Sequence, residues 1–239
     1  MREISIIIPS CNFPLLQSCV SSIIKYTDFR EVDAEFIIVA NGLPEEAKPW
    51  LNNLSPYFTH IWLDEKSGVC KSTNMGAALS QSPIIAKMDD DIEILPWAVN
   101  PNWIKCLLTP FSDKNVGLVA PIVFDYSGGE ISMGNCVVGC LMATRSEIWK
   151  TTGGFDELFD PGMGEDTDYS FKVTSLGYKI VLPSDTIVDE WNEEAHSYSG
   201  SFPMYHKSAL SYNNVHNLRA EKNYAILKNR WGNTVTPQL

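Results

Sequence analysis

Three consecutive aspartates, Asp89, Asp90 and Asp91, form the first candidate functional site in this 239-residue sequence. They directly follow residues 84–88, an apolar run that is typical of a buried strand. Ligands of open α/β sheets bind at the carboxyl ends of the strands, and adjacent carboxylates there repel one another unless a cation neutralises them. Mg²⁺ and Mn²⁺ prefer carboxylate oxygens and often share a substrate phosphate. The motif predicts an Asp-x-Asp site for a divalent cation and a diphosphate, with a solvated acidic turn as the alternative.

A second acidic cluster lies at Glu165, Asp166 and Asp168, after a glycine-rich loop and at the start of a helix predicted over residues 165–176. Helix N-termini favour carboxylates, so capping explains the cluster without any catalytic role. A carboxylate in this place could also act as a general base and take a proton from an acceptor hydroxyl. On the residues alone, both interpretations stay open.

Strand and helix patterns alternate along the first half of the chain. Apolar runs predict strands, and apolar residues at helical spacing predict helices. The predicted strands cover residues 4–8, 36–39, 58–63 and 84–88, and the helices between them cover residues 15–24, 44–54 and 68–79. In the second half, residues 116–123 and 136–143 predict strands, and residues 209–228 predict a long polar helix. Such alternation implies βαβ units, hence an α/β fold with a mainly parallel sheet.

Composition excludes several classes of function. Lys and Arg number 18 and Asp and Glu number 29, so the net charge is −11 with a pI near 4.8, which argues against a nucleic-acid-binding protein. No apolar stretch has the ~18 residues that a transmembrane helix needs. The six cysteines are scattered, which is typical of reduced thiols and predicts a cytoplasmic protein. The motifs of P-loop enzymes, dehydrogenases, zinc proteases and esterases are missing from the sequence.

Five motifs, in their order and spacing, resemble family 2 glycosyltransferases with the GT-A fold. The resemblance covers about residues 3–190. The motifs are Ile4 to Ser10, Phe36 to Gly42, Gly68 to Ala77, Asp89 to Asp91, and the pair Gly153 to Glu157 with Gly164 to Asp168.

The resemblance implies one GT-A-type domain over residues 1–200, with a nucleotide-binding half at about 1–95 and an acceptor half at about 96–200. A C-terminal helical extension over residues 201–239 is expected to pack on the same domain. The implied reaction moves a sugar from a nucleotide-sugar donor to a hydroxyl of a glycan or lipid-linked saccharide, with Mn²⁺ or Mg²⁺ as cofactor. Most such enzymes invert the anomeric centre. A lipid-linked acceptor would place the cytoplasmic protein peripherally at a membrane.

The resemblance also assigns roles to individual residues. At the donor, the nucleoside is bordered by Pro9, Ser10 and Asn41, the Gly68 helix contributes Lys71 and Asn74, and Asp89 and Asp90 lie near the ribose and the metal. The cation is held most firmly by Asp91, with Asp89 and a histidine, for which the nearest candidate is His196; His206 and His216 lie further on. The catalytic base is Asp166, and the residues expected to contact the acceptor are Glu165, Trp97 and Trp191, with Trp103 as a further aromatic candidate.

Three departures from the family pattern fall on the nucleobase pocket. Cys11 stands where an aromatic residue is usual, Ala40 where an acidic one is usual, and Thr73 where a basic one is usual. These changes leave Asn41 to read the edge of the base. Two other functions stay open: a nucleotidyltransferase, although the loop after the first strand lacks the glycines and basic residues expected of one, and a non-catalytic nucleotide-sugar-binding domain.

Overall fold

The computed structural model describes residues 2–96, 102–123, 136–182, 186–187, 191–192, 197–198, 202–207 and 216–232. The strands are β1 (Ile4–Ser10), β2 (Ala34–Asn41), β3 (Phe58–Leu63), β4 (Ile84–Met88), β5 (Ile92–Ile94), β6 (Val116–Val119), β7 (Ile122–Val123), β8 (Leu141–Arg145), β9 (Lys179–Val181), β10 (Thr186–Ile187), β11 (Trp191–Asn192), β12 (Ser197–Tyr198) and β13 (Met204–His206). The helices are α1 (Phe13–Tyr26), α2 (Ala47–Asn52), α3 (Val69–Leu79), α4 (Trp103–Leu108), α5 (Ser146–Thr152), α6 (Glu165–Ser175) and α7 (His216–Trp231).

Seven strands form the central sheet in the order β3-β2-β1-β4-β8-β6-β9. All neighbours pair in parallel except β8, which runs antiparallel to both β4 and β6. Three short pairs lie beside this sheet: β10 with β7, β11 with β12, and β13 with β5. The predicted α/β class with a mainly parallel sheet is confirmed.

Helices cover both faces of the central sheet, which explains why every residue of β1 is buried. Ile6 and Ile8 pack in a core shared with α1, α2 and α4. Ile7 points to the other face and packs in a core shared with α3, α5, α6 and α7. The close approach of α3 depends on Gly76, where a Cβ atom would lie 2.5 Å from Cγ2 of Ile7. This packing fixes α3 on the face of β1 and β2, two of the strands that lead to the candidate site.

Several predicted boundaries are wrong. The strand predicted over residues 116–123 is divided into β6 and β7 at Pro121, which has no N–H to donate to a ladder. The strand predicted over 136–143 begins only at Leu141, and the helix predicted over 44–54 shortens to α2. The extension from residue 201 contains a strand, β13, before its helix, because residues 204–206 pair with β5. The polar helix is observed as α7, and residues 209–215 lie outside the described residues.

Within the described residues, no helix is both long and apolar enough to span a membrane.

Candidate active site

The carboxyl ends of three neighbouring strands meet at one edge of the sheet. β1 ends at Ser10, β2 ends at Asn41, and β4 leads directly into Asp89. The sheet order β2-β1-β4 places these ends side by side, as the register pair Ser10 and Ala40 illustrates. The hydroxyl of Ser10 donates a hydrogen bond of 2.6 Å to Oδ2 of Asp90. The first acidic cluster is therefore held by the end of β1, the neighbour of β4 in the sheet.

A histidine that is distant in sequence reaches the first acidic cluster. β13 pairs antiparallel with β5, opposing His206 to Ile92, and the backbone N–H of Lys207 donates to the carbonyl of Asp91 at 3.0 Å. This pairing brings Nε2 of His206 to 3.3 Å from Oδ1 of Asp91. One ligand atom each from Asp89, Asp91 and His206 lies within 4.8 Å of the others. The sequence pattern favoured His196 over this histidine, and His196 lies outside the described residues.

The donor set suits a divalent cation. Two carboxylates and an imidazole are ligands that Mn²⁺ and related metals accept. Oδ1 of Asp91 is buried, and in the described part of the chain no group donates a well-aligned hydrogen bond to it. A buried carboxylate oxygen without such a donor is costly, and a cation bound there would relieve that cost. The residues present therefore fit the predicted metal.

Burial disfavours charge in this cluster. It raises the pKa of Asp90 to about 7, with the hydroxyl of Ser10 opposing and the neighbouring aspartates adding to the effect. Burial also raises the pKa of Asp89, against the attraction of the Lys87 ammonium. The pKa of Asp91 is lowered, because its contacts with His206 and Lys87 outweigh its burial. A divalent cation favours the charged form of all three carboxyl groups, so binding of a metal and deprotonation of the cluster support each other.

Two asparagines expected at the donor form side-chain hydrogen bonds with the backbone of loops. The side chain of Asn41 donates to the carbonyl of Ser67 at 2.8 Å and accepts from the backbone N–H of the same residue at 2.6 Å. The side chain of Asn74 pairs in the same two-way manner with the backbone of Phe155, at 2.9 and 3.1 Å. Both contacts hold segments next to α3. The roles of Asn41 at the nucleobase and Asn74 at the donor stay predictions.

The second acidic cluster begins α6. Gly164 precedes the helix with a φ of 87°, a conformation that favours glycine, and Glu165 and Asp166 occupy the first turn. Both carboxylate oxygens of Asp166 accept backbone N–H groups, Oδ2 from Gly139 at 2.8 Å and Oδ1 from Thr167 at 2.7 Å. These two bonds fix the plane of the carboxylate. Asp166 remains the residue whose type and placement suit the predicted base.

Glu165 differs sharply from Asp166. Its side chain is buried, and Oε2 has no hydrogen-bond partner among the described residues. Burial and the charge of Asp166 raise the pKa of Glu165 to about 8. A glutamic acid that stays protonated near neutral pH can donate a hydrogen bond, which a carboxylate cannot. This property fits the predicted contact with an acceptor, which stays a prediction.

The Glu165 pKa gives a prediction about stability. Glutamate in the unfolded chain titrates near 4.5, so between about pH 4.5 and 8 the folded state binds more protons than the unfolded state. The unfolding free energy therefore falls as the pH rises, by at most about 1.4 kcal/mol for each pH unit in this window. In Glu165→Gln this contribution is absent, so the fall becomes shallower. Urea unfolding at pH 5 and 8 in EDTA measures the difference.

The matched control for that experiment is Glu147→Gln, which changes an exposed glutamate on α5. It is expected to keep the pH slope of the wild type. Equal slopes for Glu165→Gln and the wild type would contradict the assignment of a protonated Glu165.

The loop before α6 is fastened by the C-terminal helix. The side-chain amide of Asn223 on α7 donates to the carbonyls of Phe159, Gly162 and Met163, at 3.2, 3.1 and 2.8 Å. The fully buried Asp168 accepts from Arg230 at 2.7 Å and from the indole of Trp231 at 2.9 Å. The third acid of the cluster is therefore bound to α7, which explains why it is buried away from solvent.

The structure accounts for the remaining predicted residues as follows. Pro9 is buried in β1 and pairs in register with Val39. Lys71 is exposed on the first turn of α3, and its backbone N–H donates to Asp160 at 3.2 Å. Trp103 is fully buried and donates to Thr27, so the idea that it stacks on a sugar is wrong. The backbone of Trp191 lies in β11, opposite Tyr198, and Trp97 lies outside the described residues.

Two residues of this region were not predicted from the sequence. Lys87 is buried at 4% exposure beside the acidic cluster, and its presence in an otherwise apolar strand was the available signal. Asp160 caps α3 from a distant loop, accepting the backbone N–H of Cys70 at 2.8 Å. A Cβ atom on Gly68 would lie 1.9 Å from Oδ1 of Asp160, so glycine is required there. No local pattern in the sequence predicts this capping contact.

A mainly parallel sheet with a candidate cation site at its carboxyl edge and a second acidic cluster at the start of α6 is the arrangement expected of a GT-A glycosyltransferase. The chain belongs to glycosyl transferase family 2, whose family model matches residues 5–213. No curated protein sequence matches the chain significantly.

Many solved structures share the fold, among them two with Mn²⁺. A mannosyltransferase, PcManGT from Pyrobaculum calidifontis in complex with GDP-Man and Mn²⁺, superposes with a TM-score of 0.66 at 16% identity, covering 95% of this chain and 64% of that one. GalNAc-T7 with UDP, GalNAc and Mn²⁺ superposes with a TM-score of 0.62 at 16% identity, covering 77% of this chain and 42% of that one. The chain thus spans less than two thirds of the length of either protein. At this identity the likeness establishes the GT-A fold.

Proposed function

We propose that this domain transfers one sugar from a nucleotide-sugar donor to a hydroxyl group of a glycan or lipid-linked saccharide, with inversion at the anomeric carbon. The observation that carries the proposal is the juxtaposition of two acidic clusters with different properties. A ligand set for a cation is formed by Asp89, Asp91 and His206. On α6, the carboxylate of Asp166 accepts the N–H of Gly139, whose neighbour Cys140 is hydrogen-bonded to Asp89. The cation site suits a diphosphate, and the carboxylate of Asp166 suits a nucleophilic hydroxyl.

The donor half of the reaction rests on the first cluster. Asp89, Asp91 and His206 would hold Mn²⁺ or Mg²⁺, and the cation supplies positive charge to the departing diphosphate. Asp90, fixed by the hydroxyl of Ser10, would contact the ribose side of the donor. Burial of the cluster strengthens each of these electrostatic contacts relative to water.

The acceptor half of the reaction rests on Asp166. The acceptor hydroxyl gives its proton to an oxygen of Asp166 as its own oxygen forms a bond with the anomeric carbon. The bond between that carbon and the diphosphate oxygen breaks, and its electron pair leaves with the nucleoside diphosphate. The two N–H groups that fix the carboxylate orient it for this proton transfer without neutralising it. In a single displacement the hydroxyl attacks the anomeric carbon opposite the departing diphosphate, which is why inversion is proposed.

Product analysis with a donor panel tests the function. The protein is incubated with Mn²⁺, UDP- or GDP-linked sugars and a set of saccharide acceptors, and the release of nucleoside diphosphate is measured. We expect release that increases with a suitable acceptor, and a product whose anomeric configuration, read by NMR, is opposite to that of the donor. In a parallel reaction with a nucleoside triphosphate and a sugar phosphate, release of pyrophosphate would instead identify a nucleotidyltransferase. A thermal shift with donor but no release would identify a binding domain.

The cellular setting is part of the same proposal. Six scattered cysteines suit a reducing compartment, which supports a cytoplasmic protein. A lipid-linked acceptor would bring such a protein to a membrane surface, and including lipid-linked saccharides beside free glycans in the assay separates the two acceptor types.

A further inference from the structure

A buried lysine joins the two acidic clusters. Lys87 lies in β4 at 4% exposure, although lysines are almost never fully buried unless paired. Its ammonium lies 2.5 Å from Oδ1 of Asp89 and donates a 2.6 Å hydrogen bond to the carbonyl of Gly139. These partners satisfy the charge in a site where an unpaired ammonium would be strongly destabilising.

Gly139 continues the connection on its other side. While its carbonyl accepts from Lys87, its N–H donates at 2.8 Å to Oδ2 of Asp166. The segment is kept against β4 by a further bond, from the N–H of Asp89 to the carbonyl of Cys140 at 2.8 Å. Gly139 is therefore bonded on both sides. Its carbonyl accepts from Lys87 beside the first acidic cluster, and its N–H donates to Asp166 in the second acidic cluster.

The position of Gly139 permits no side chain. A Cβ atom there would lie 2.9 Å from Cβ of Asp166 and 3.2 Å from its Oδ2, closer than such atoms normally approach. A methyl group at residue 139 must therefore displace Asp166 or the segment itself. The absence of a side chain is what allows the backbone N–H of Gly139 to reach the carboxylate.

We propose that Lys87 and Gly139 are positioning residues, which together hold Asp89 and Asp166 in one fixed relation so that donor and acceptor hydroxyl meet at the right distance. The inference rests on the proposed function and deepens it. Neither role requires contact with a substrate. Lys87 acts through Asp89 and Gly139, and Gly139 acts through Asp166.

The two residues predict different kinetic effects. In Gly139→Ala the displaced Asp166 lowers kcat by about 10²-fold, the loss that a shift of about 1 Å produces, whereas the donor KM and the Mn²⁺ half-saturation stay within about twofold. In Lys87→Met the link is also lost, so kcat falls. Asp89 also loses the group that holds it in place, so Mn²⁺ binds more weakly than in the wild type. A purely structural role would lower the folded fraction and leave these values, measured per folded molecule, unchanged.

A double variant shows whether the residues act through one connection. If they do, kcat of Lys87→Met/Gly139→Ala is no lower than that of the weaker single variant, because the link can be broken only once. Fully multiplicative losses would overturn the proposal. Lys105→Met is the matched control, because this exposed lysine pairs with Glu31 away from the site and its loss should change nothing.

The design separates failure of this inference from failure of the proposed function. If the wild type transfers sugar and both single variants behave like Lys105→Met, the connection has no positioning role and the inference is wrong. If the wild type neither binds Mn²⁺ nor releases nucleoside diphosphate, the proposed function is wrong and the inference falls with it. Mn²⁺ affinity is read by EPR without turnover, and binding by Lys87→Met as tight as that of the wild type would contradict the inference by itself. Gly139→Ala retains the ammonium and keeps the test valid should Lys87→Met not fold.

Discussion

Asp91→Asn is expected to reduce sugar transfer by roughly 10²–10³-fold or more at saturating Mn²⁺, with the fold intact. The substitution removes a charged metal ligand, and the electrostatic stabilisation that a cation gives a departing oxyanion is worth several kcal/mol, each 1.36 kcal/mol being a factor of ten in rate. Because contacts with His206 and Lys87 lower the pKa of Asp91, its charge stabilises the folded state at neutral pH, so the thermal stability of the variant without metal should be lower than that of the wild type. Initial rates and a thermal melt in EDTA measure both effects.

Asp33→Asn is the matched control for this variant, because it changes an exposed aspartate that pairs with Arg2 far from the site. It should retain the wild-type rate and Mn²⁺ dependence. Full activity of the wild type in excess EDTA would contradict a metal-dependent mechanism, as would an active Asp91→Asn.

Asp166→Asn is expected to lower kcat by about 10²–10⁴-fold while the donor KM hardly changes. Asparagine keeps the shape of the side chain and an acceptor oxygen for one of the two N–H groups, that of Gly139 or that of Thr167, but it cannot take a proton. A positioned base contributes about this factor to the transfer of a weakly acidic hydroxyl proton. The donor is bound by the other acidic cluster, so its affinity should survive. Steady-state kinetics with varied donor and acceptor separate the two parameters.

Glu165→Gln is the comparison for that variant, since it changes the neighbouring carboxyl group and leaves Asp166 in place. Its loss of kcat should be clearly smaller. If Asp166→Asn kept more than about a tenth of the wild-type kcat, well above what loss of a base allows, another carboxylate would be the base or the reaction would not invert.

Features carried by local sequence patterns were predicted well. The buried strands β1 and β4 and the helix α6 follow from apolar runs and helical spacing, and these patterns alone put Asp89 at a strand end and Asp166 at a helix start. The α/β class and its mainly parallel sheet followed from the alternation of such elements.

Features that depend on long-range contacts could not be predicted in this way. His206 reaches Asp91 only because β13 pairs with β5 across more than a hundred residues, and nothing near His206 in the sequence signals that pairing. Asn74 is engaged by the backbone of Phe155, 81 residues away, a partner that helical periodicity does not reveal. Lys87 was visible as a charge in an apolar strand, but its two partners were not. Local periodicity predicts which face of a helix or strand is buried, but it does not identify the partner of each buried polar group.

Mn²⁺ binding followed by EPR tests the central claim most directly. Free Mn²⁺ gives a signal that is lost on binding, so the wild type is titrated in the presence of UDP or GDP, alongside Asp91→Asn, His206→Ala and the control His60→Ala from the edge strand β3. We predict that the wild type and His60→Ala each bind about one Mn²⁺ per chain when the diphosphate is present, and that the two site variants bind far more weakly. Binding by Asp91→Asn and His206→Ala equal to that of the wild type, or no binding by the wild type with either diphosphate, would contradict the account.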